Sequence, residues 1–371
     1  MDNKLWAEST MKRIIEKLDK TADMIGPSFP HTTRGDAYNN EDVSWWTNGF
    51  WPGILWTAYL ATEDRKYADI ASEVENKLDA VLNEYDLLDH DVGFLWLLSS
   101  GANYMITGNK ESRNRLLKAA SFLASRFNLK GNFIRAWNHT KGYAIIDCMM
   151  NLPLLYLASR EVDDSRFNFI AEAHVNTVMK YFVRPDASVN HIVSFNPESG
   201  EFVESVAGQG ARSDSAWSRG ASWALYGLAL AYRHLGDEKM LSKSKAVADF
   251  FIESSPEDFV AHWDFRVERN EDTPRDTSAA ACAACGMLEL AEHLSEKDAA
   301  PYKEYAVKIL KSLTDNYSNL DNDKDQALLH SGTGNAPKNK NINVGLIYGD
   351  YFYIEGISRL MGNKKIFWYS K

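Results

Sequence analysis

Two kinds of helical segment alternate along the chain, and this alternation restricts the possible folds more than any other feature. One kind is rich in aromatic and small residues and is apolar on nearly every side, whereas the other carries Lys and Glu along one face. A helix that is apolar all round is buried, and an amphipathic helix lies on a surface. The alternation therefore predicts an inner set of helices covered by an outer set.

Each kind of segment occurs six times, which predicts twelve helices in six pairs. The buried segments lie near 46–62, 91–107, 144–160, 215–235, 276–294 and 349–361. The amphipathic segments lie near 8–25, 66–84, 110–127, 164–183, 238–253 and 299–318. Irregular spacing between the pairs favours a closed array over an open solenoid. We predict an all-α protein, an (α/α)6 barrel, with a single domain over residues 1–371.

Short polar stops separate the helix pairs, and longer irregular stretches precede the inner helices. Gly followed by Asn or Asp, as in Gly108-Asn109 and Gly236-Asp237, suits the end of one helix and the start of the next. Long loops in a compact domain are usually functional. Alternating residues around a Pro and Gly turn predict a β-hairpin within 188–204. We therefore expect the functional residues at one end of the ring.

Composition and charge exclude several classes of partner. A net charge of −10 argues against nucleic acid or an anionic membrane as the main partner. The N-terminus lacks a signal-peptide pattern, and no stretch is apolar enough to span a membrane. Cys148, Cys282 and Cys285 lie in apolar segments, which favours reduced thiols and a cytoplasmic protein. The CxxC has no second ligand pair, and no zinc or nucleotide-binding motif is present, so we expect no metal.

Two aspartates at the start of inner helices are the candidate catalytic residues. Asp147 is surrounded by Ile, Cys and Met, where a carboxylate is costly unless it is paired or has a raised pKa. A raised pKa suits a proton donor near neutral pH. Asp91 follows His90 at the start of another inner helix. The alternative interpretation is that each aspartate caps a helix.

A dense polar and aromatic run, 209–223, is the candidate binding surface. Trp217 and Trp223 are suited to stacking on a sugar face, and Arg219 to binding a carboxylate. The alternative is that the tryptophans belong to the core and Arg219 pairs with a structural aspartate. His191, in the predicted hairpin, is either a donor to substrate or an ordinary solvated loop histidine.

Six motifs in order along the chain resemble the unsaturated glucuronyl hydrolases of glycoside hydrolase family 88. The motifs begin at Trp46 (WTNGFWPG), His90 (HDVGF), Ile146 (IDCMMNLPLL), Ser213 (SDSAWSRG), Pro274 (PRDTSAA) and Tyr348 (YGDYF). The resemblance implies an (α/α)6 barrel without a metal or organic cofactor. Ala221 and Ser222 depart from the family pattern beside Arg219, so they affect the expected substrate preference.

The resemblance also implies roles for individual residues. Asp147 is expected to be the general acid and base, and Asp91 the second essential carboxylate. The expected contacts with the sugar are His191, Trp46, His90, Trp137, Gln209, Arg219, Trp217 and Trp223. The implied reaction is hydration of the C4=C5 double bond of an unsaturated uronic acid, which releases it from an oligosaccharide of the glycosaminoglycan type.

Three other functions remain open at this point. An unsaturated rhamnogalacturonyl hydrolase, which acts on pectin fragments, shares the ring and the hydration chemistry. A sugar-binding ring without catalytic activity is a second alternative, although both candidate aspartates are present. A sugar epimerase on the same ring is a third, but such enzymes use paired histidines and only His191 is well placed. The sequence does not predict the oligomeric state.

Overall fold

The computed structural model describes residues 2–363 and 365–369. In chain order its helices are α1 (Asn3–Ile25), α2 (Phe50–Thr62), α3 (Arg65–Leu82), α4 (Val92–Trp96), α5 (Ala102–Thr107), α6 (Lys110–Ser125), α7 (Pro153–Val162), α8 (Arg166–Tyr181), α9 (Ser218–Leu235), α10 (Glu238–Ser254), α11 (Thr277–Ala291), α12 (Glu296–Asn316) and α13 (Ile347–Leu360). A π-helical segment, Leu97–Gly101, joins α4 to α5, which makes them one inner helix. Its short strands are β1 (Pro30–Arg34), β2 (Ala37–Asn40), β3 (Phe127–Asn128), β4 (Phe133–Ile134), β5 (Tyr143–Ile145), β6 (Ile192–Phe195), β7 (Phe202–Val206), β8 (Gly332–Asn335) and β9 (Lys340–Val344).

Burial separates the helices into two layers. Every residue of α11 is buried, and so is most of α9 and α13, whereas α3 and α10 expose one face. The inner layer consists of α2, the joined α4 and α5, α7, α9, α11 and α13. From α7 the order of packing is α9, α11, α13 and α2, and α2 also packs on α5. The remaining helices cover this ring from outside. Among the described helices, none is both long and apolar enough to cross a bilayer. The architecture is the predicted (α/α)6 barrel.

The predicted stops between helix pairs act as helix caps. Gly108 and Gly236 adopt left-handed backbone conformations, with φ of 73° and 74°, and end α5 and α9. Asn109 and Asp237 follow them, and their side chains accept hydrogen bonds from the first backbone N–H groups of α6 and α10. Glycine tolerates positive φ, and the short polar side chains satisfy unpaired N–H groups. Local chemistry therefore sets these boundaries.

The third inner helix begins later than the sequence pattern predicts. The prediction placed a helix over 144–160, but Tyr143–Ile145 forms β5 and Ile146–Met150 forms a 3₁₀ turn. The helix α7 begins only at Pro153. Proline suits the first helical turn because the N–H that it lacks would have no partner there. As a result Asp147 lies in the turn between a strand and a helix, and not within a helix.

Short antiparallel strands occupy the segments that precede the inner helices. The hairpin predicted within 188–204 is confirmed as β6 and β7, and β5 joins it to form a three-stranded sheet. The pairs β1–β2, β3–β4 and β8–β9 lie in stretches that the sequence left irregular. Two-residue strands are too short to show an alternating pattern, and a bulge interrupts the pattern in the longer strands. These hairpins surround the end of the ring at which inner helices begin.

The opposite end of the ring is filled by aromatic side chains and a buried charge network. Trp368 is buried, stacks on Phe352 with ring centroids 5.9 Å apart, and donates from Nε1 to Glu355 at 2.7 Å. In the same region, Arg359 pairs with Glu289 and Glu355. A buried ion pair is tolerated when further hydrogen bonds satisfy both partners. The segment after α13 therefore packs into the barrel itself.

Asp350, at the start of α13, ties two of the surrounding segments to the ring. Its carboxylate accepts hydrogen bonds from Tyr38 Oη at 2.7 Å, Leu328 N at 2.8 Å and Leu329 N at 3.0 Å. Burial raises the pKa of Asp350 to about 7 despite these three donors. The aspartate thus links the β1–β2 hairpin and the segment before β8 to an inner helix.

Asp350 should make the protein less stable as the pH rises toward neutrality. Its pKa is 3.8 when exposed and about 7 when folded, so the folded state holds the proton across this interval. The stabilisation is complete below the lower value and is lost as the pH rises through the higher one. We expect Asp350→Asn to remove about 4 kcal/mol of pH-dependent change in the free energy of unfolding. Denaturant unfolding at several pH values measures this, and Asp321→Asn, at an exposed site, should keep the wild-type dependence. Identical profiles for wild type and Asp350→Asn would contradict it.

Candidate active site

Strand pairing brings Asp147 and His191 together from distant parts of the chain. Ile145 of β5 pairs with Ile192 of β6, and Ile146 N donates to the His191 carbonyl at 3.0 Å. Asp147 directly follows Ile146, and His191 directly precedes Ile192. As a result the His191 ring reaches Asp147, with Nε2 at 3.4 Å from the Asp147 carboxylate. Both side chains are buried.

A backbone hydrogen bond determines which nitrogen of His191 carries the proton. Gln209 N donates to His191 Nδ1 at 2.7 Å, so Nδ1 is an acceptor. The neutral ring must then carry its hydrogen on Nε2, the nitrogen nearer to Asp147, although the two groups are not aligned for a hydrogen bond. Gly208 permits this contact, because it has a φ of 60° and a Cβ at this position would lie 2.1 Å from His191 Nδ1.

Replacing Gly208 with alanine should displace His191 from Asp147. The added Cβ meets the imidazole itself, and a displacement of about 1 Å near reacting groups costs about 10²-fold in rate. We expect kcat/KM to fall by about that factor. Gly236→Ala is a matched control, because Gly236 also has positive φ but has nothing within 4 Å. Both variants should lose stability because both positions have positive φ, and only Gly208→Ala should also lose activity. Equal activities in steady-state assays would contradict this positioning.

The second carboxylate, Asp91, lies against His90 and Asn151. His90 Nδ1 is 3.0 Å from the Ala136 carbonyl, which can only accept, so Nδ1 carries the hydrogen. The lone pair on Nε2 then faces Asp91 Oδ1 at 3.2 Å. Two acceptors at this distance repel unless a proton lies between them. Asn151 Nδ2 donates to the same Asp91 oxygen at 3.1 Å.

The two carboxylates have opposite pKa shifts. Burial raises the pKa of Asp91 well above its usual value, and the charges of Asp89 and Asp147 add to this. Burial also acts on Asp147, but interactions with His191, His90 and Arg219 outweigh it and lower the pKa. The expectation of a raised pKa for Asp147 is therefore wrong. Between the two shifted values the pair holds one proton, and Asp91 carries it.

Aromatic rings form the wall around the two carboxylates. Trp217 lies 4.2 Å from the His191 ring, measured between centroids, and Trp137 lies 6.0 Å from His90. Trp46 packs on Tyr348 at 5.0 Å. Trp46 and Trp137 are half-buried and retain exposed surface beside the site. Apolar walls with a few converging polar groups are typical of sites that bind small molecules.

The guanidinium of Arg219 makes an ion pair and several hydrogen bonds within the protein. This group is buried, pairs with Asp276, and donates to Gln209 Oε1 and the carbonyls of Thr333 and Gly334, each at 2.8 Å. The alternative of a structural aspartate partner is therefore correct, and a contact between Arg219 and a substrate carboxylate stays a prediction. Arg219 also holds Gln209, whose backbone positions His191.

Trp223 belongs to the core beneath the site. Its ring has no exposed surface and packs between Phe94 and Phe352, with centroid distances of 5.5 and 5.4 Å. The prediction that Trp223 stacks on a sugar is therefore wrong, because its face is covered by other rings. Trp217, the residue immediately before α9, remains at the wall.

Sequence reasoning missed the role of Asn151. This residue is fully buried and follows Asp147 by four positions, a spacing that places its amide against the Asp147 backbone. The motif that contains it was visible, but nothing in the sequence relates it to Asp91. His31, whose ring lies 6.2 Å from Trp46, was also missed because an isolated histidine in a short strand carries no signal.

Potential metal ligands are few around the site. Among the described residues, Asp89, His90 and Asp91 offer ligand atoms within 4.8 Å of one another. However, Asp89 accepts from Asp91 N at 2.8 Å, and His90 Nδ1 already has a partner. The cysteines of the CxxC are free and buried, and burial raises their pKa values, which makes them poor ligands.

Comparison with known proteins identifies the family. Residues 17–354 match the family model of Glycosyl Hydrolase Family 88. The chain is 37% identical, over 96% of its length and 92% of the relative, to an unsaturated chondroitin disaccharide hydrolase of Streptococcus pneumoniae. The crystal structure of an unsaturated glucuronyl hydrolase from Bacillus sp. GL1, responsible for glycosaminoglycan degradation, matches with a TM-score of 0.94 at 32% identity, covering 98% of this chain and 99% of that one. Another such hydrolase, specific for heparin, matches with a TM-score of 0.90 at 32% identity, covering 97% and 98%.

The helical ring and its buried acid pair define a glycosidase. The chain belongs to glycosyl hydrolase family 88.

Proposed function

We propose that this protein releases a terminal unsaturated uronic acid from lyase-generated oligosaccharides of the glycosaminoglycan type. The relatives named above act on chondroitin disaccharide and on heparin, which supports this class of substrate. The observation that carries the proposal is a buried pair of carboxylates with opposite pKa shifts at an aromatic-walled mouth. The whole chain serves as one catalytic domain, and its free, buried cysteines suit the cytoplasm.

The reaction is a hydration, with Asp147 as general acid and then general base. Asp147 gives its proton to C4 of the C4=C5 double bond, and positive charge develops at C5 and the ring oxygen. Asp147, now ionised, takes a proton from water as the water oxygen bonds to C5. The resulting hemiketal opens to a ketone at C5, and the hemiacetal left at C1 expels the remaining sugar as an alcohol. One water is consumed in total.

The acid pair supplies the first proton when the anionic substrate binds. In the free enzyme Asp91 holds the proton and Asp147 is ionised, because of their opposite pKa shifts. A substrate carboxylate near Asp147 disfavours its negative charge and raises its pKa. The proton then moves within the pair toward Asp147. His191 Nε2, which carries a hydrogen, lies 3.4 Å from the Asp147 carboxylate.

Loss of the ultraviolet absorbance of the conjugated double bond tests the proposal. The substrates are unsaturated disaccharides from chondroitin, hyaluronan and heparin, with and without sulfate, beside an unsaturated rhamnogalacturonan disaccharide. We expect turnover of the glycosaminoglycan disaccharides. Preference for the pectin disaccharide would replace this assignment with the rhamnogalacturonyl one. Binding without absorbance loss would support a sugar-binding ring instead.

A further inference from the structure

The side-chain amide of Asn151 contacts both the segment that carries Asp91 and the segment that carries Asp147. Phe94 N donates to its Oδ1 at 2.7 Å, which fixes the orientation of the amide. Its Nδ2 therefore faces the other way and donates to Asp91 Oδ1 at 3.1 Å and to the Asp147 carbonyl at 3.3 Å. Both polar atoms of this buried amide therefore have partners, at the start of α4 on one side and in the 3₁₀ turn on the other.

The packing around Asn151 leaves it no alternative position. A Cβ at Gly93 would lie 2.5 Å from Asn151 Oδ1 and 2.6 Å from its Cα, so glycine is what allows α4 to approach the turn. Buried amides with fixed partners are rigid, and a group this rigid can hold a neighbour within a fraction of an ångström. The distance between the two catalytic segments is therefore set through this residue.

We infer that Asn151 is a positioning residue of the reaction, which holds Asp91 in register with Asp147 and governs how readily Asp91 gives up its proton. This inference rests on the proposed function. A hydrogen bond from Asn151 favours the ionised form of Asp91. In that way it opposes the effects of burial and of neighbouring charges, and it keeps the proton transferable within the pair.

Several charged or titratable groups face Asp91 from the surrounding elements. They are Asp89 and His90 from the preceding loop, Asp147 and Cys148 from the 3₁₀ turn, and Arg126 from the end of α6. Asp89 and Asp147 raise the pKa of Asp91, and Arg126 and Asn151 lower it. Asn151 is the one among the lowering groups that donates directly to the carboxylate at hydrogen-bond distance.

Two substitutions separate positioning from packing. Asn151→Asp keeps the shape and the acceptor for Phe94 N but removes the donor to Asp91, and Asn151→Leu removes the donor without adding a charge. Both raise the pKa of Asp91, so the basic limb of the kcat/KM profile should move to higher pH by about one unit or more. We expect kcat to fall by about 10²-fold, with a smaller change in KM.

Asn103→Asp is the matched control. Asn103 is also buried and donates to a carboxylate, Glu75 Oε2, at 2.6 Å, but it lies in α5 away from the acid pair. This variant should lower the melting temperature and leave the basic limb in place. Activity that falls only in step with the melting temperature, with an unmoved basic limb in both Asn151 variants, would overturn the inference. A wild-type enzyme that leaves every unsaturated uronide intact would instead overturn the proposed function.

Discussion

Asp147→Asn should reduce kcat/KM on an unsaturated uronyl disaccharide by at least about 10³-fold, because Asp147 acts both as acid and as base. Asparagine has nearly the same shape but cannot give a proton to C4 or accept one from water. The loss should appear in kcat, while the disaccharide still binds. Absorbance of the conjugated double bond measures the rate, and calorimetry measures binding.

The control for this substitution is Asp214→Asn, at an exposed carboxylate that pairs with Arg212 on the loop before α9. Its removal should leave turnover near the wild-type rate, since exposed pairs contribute little. Wild-type turnover by Asp147→Asn would show that another group protonates the double bond.

The second large effect concerns Asp91 and the pH dependence of kcat/KM. Wild-type kcat/KM should fall at high pH. The basic limb of its pH profile follows the raised pKa of Asp91, above which the pair has no proton to deliver. The basic limb should therefore lie above the usual carboxyl range.

Asp91→Asn should lower kcat/KM near neutral pH by at least about 10²-fold. Asparagine at this position cannot pass a proton to Asp147, so Asp147 must take one from solvent. The residual activity should rise as the pH falls toward the lowered pKa of Asp147, so the basic limb should move to lower pH. Steady-state rates across the pH range measure both effects. A variant that keeps the wild-type basic limb would contradict the shared proton.

The architecture was predictable because it depends on short-range patterns. The apolar and amphipathic helices, and caps such as Gly236 and Asp237, depend on neighbouring residues. The start of α7 was not predictable, because pairing of β5 with β6 overrides the helical pattern around Asp147. That pairing joins residues far apart in the chain, and sequence periodicity does not report it.

The candidate site was predictable in its residue types but less so in their roles. Asp147, Asp91, His90 and His191 do come together, and the family motifs are what pointed to them. The role of Arg219 depends on Asp276, more than fifty residues away, and this pairing is visible only in three dimensions. The pKa shifts depend likewise on burial and on charges from several elements.

The aromatic side chains packed around Trp368 close one end of the ring, so its interior is a closed-ended cavity and not a channel. Because described residues close that end, the sugar bound deepest in the cavity can leave only through the mouth, after the sugars behind it have left. A long oligosaccharide can therefore offer only its last residue to Asp147, and the reaction removes that residue alone, because the sugar behind it has no C4=C5 double bond. The larger fragment must depart first, and the freed uronic acid leaves last.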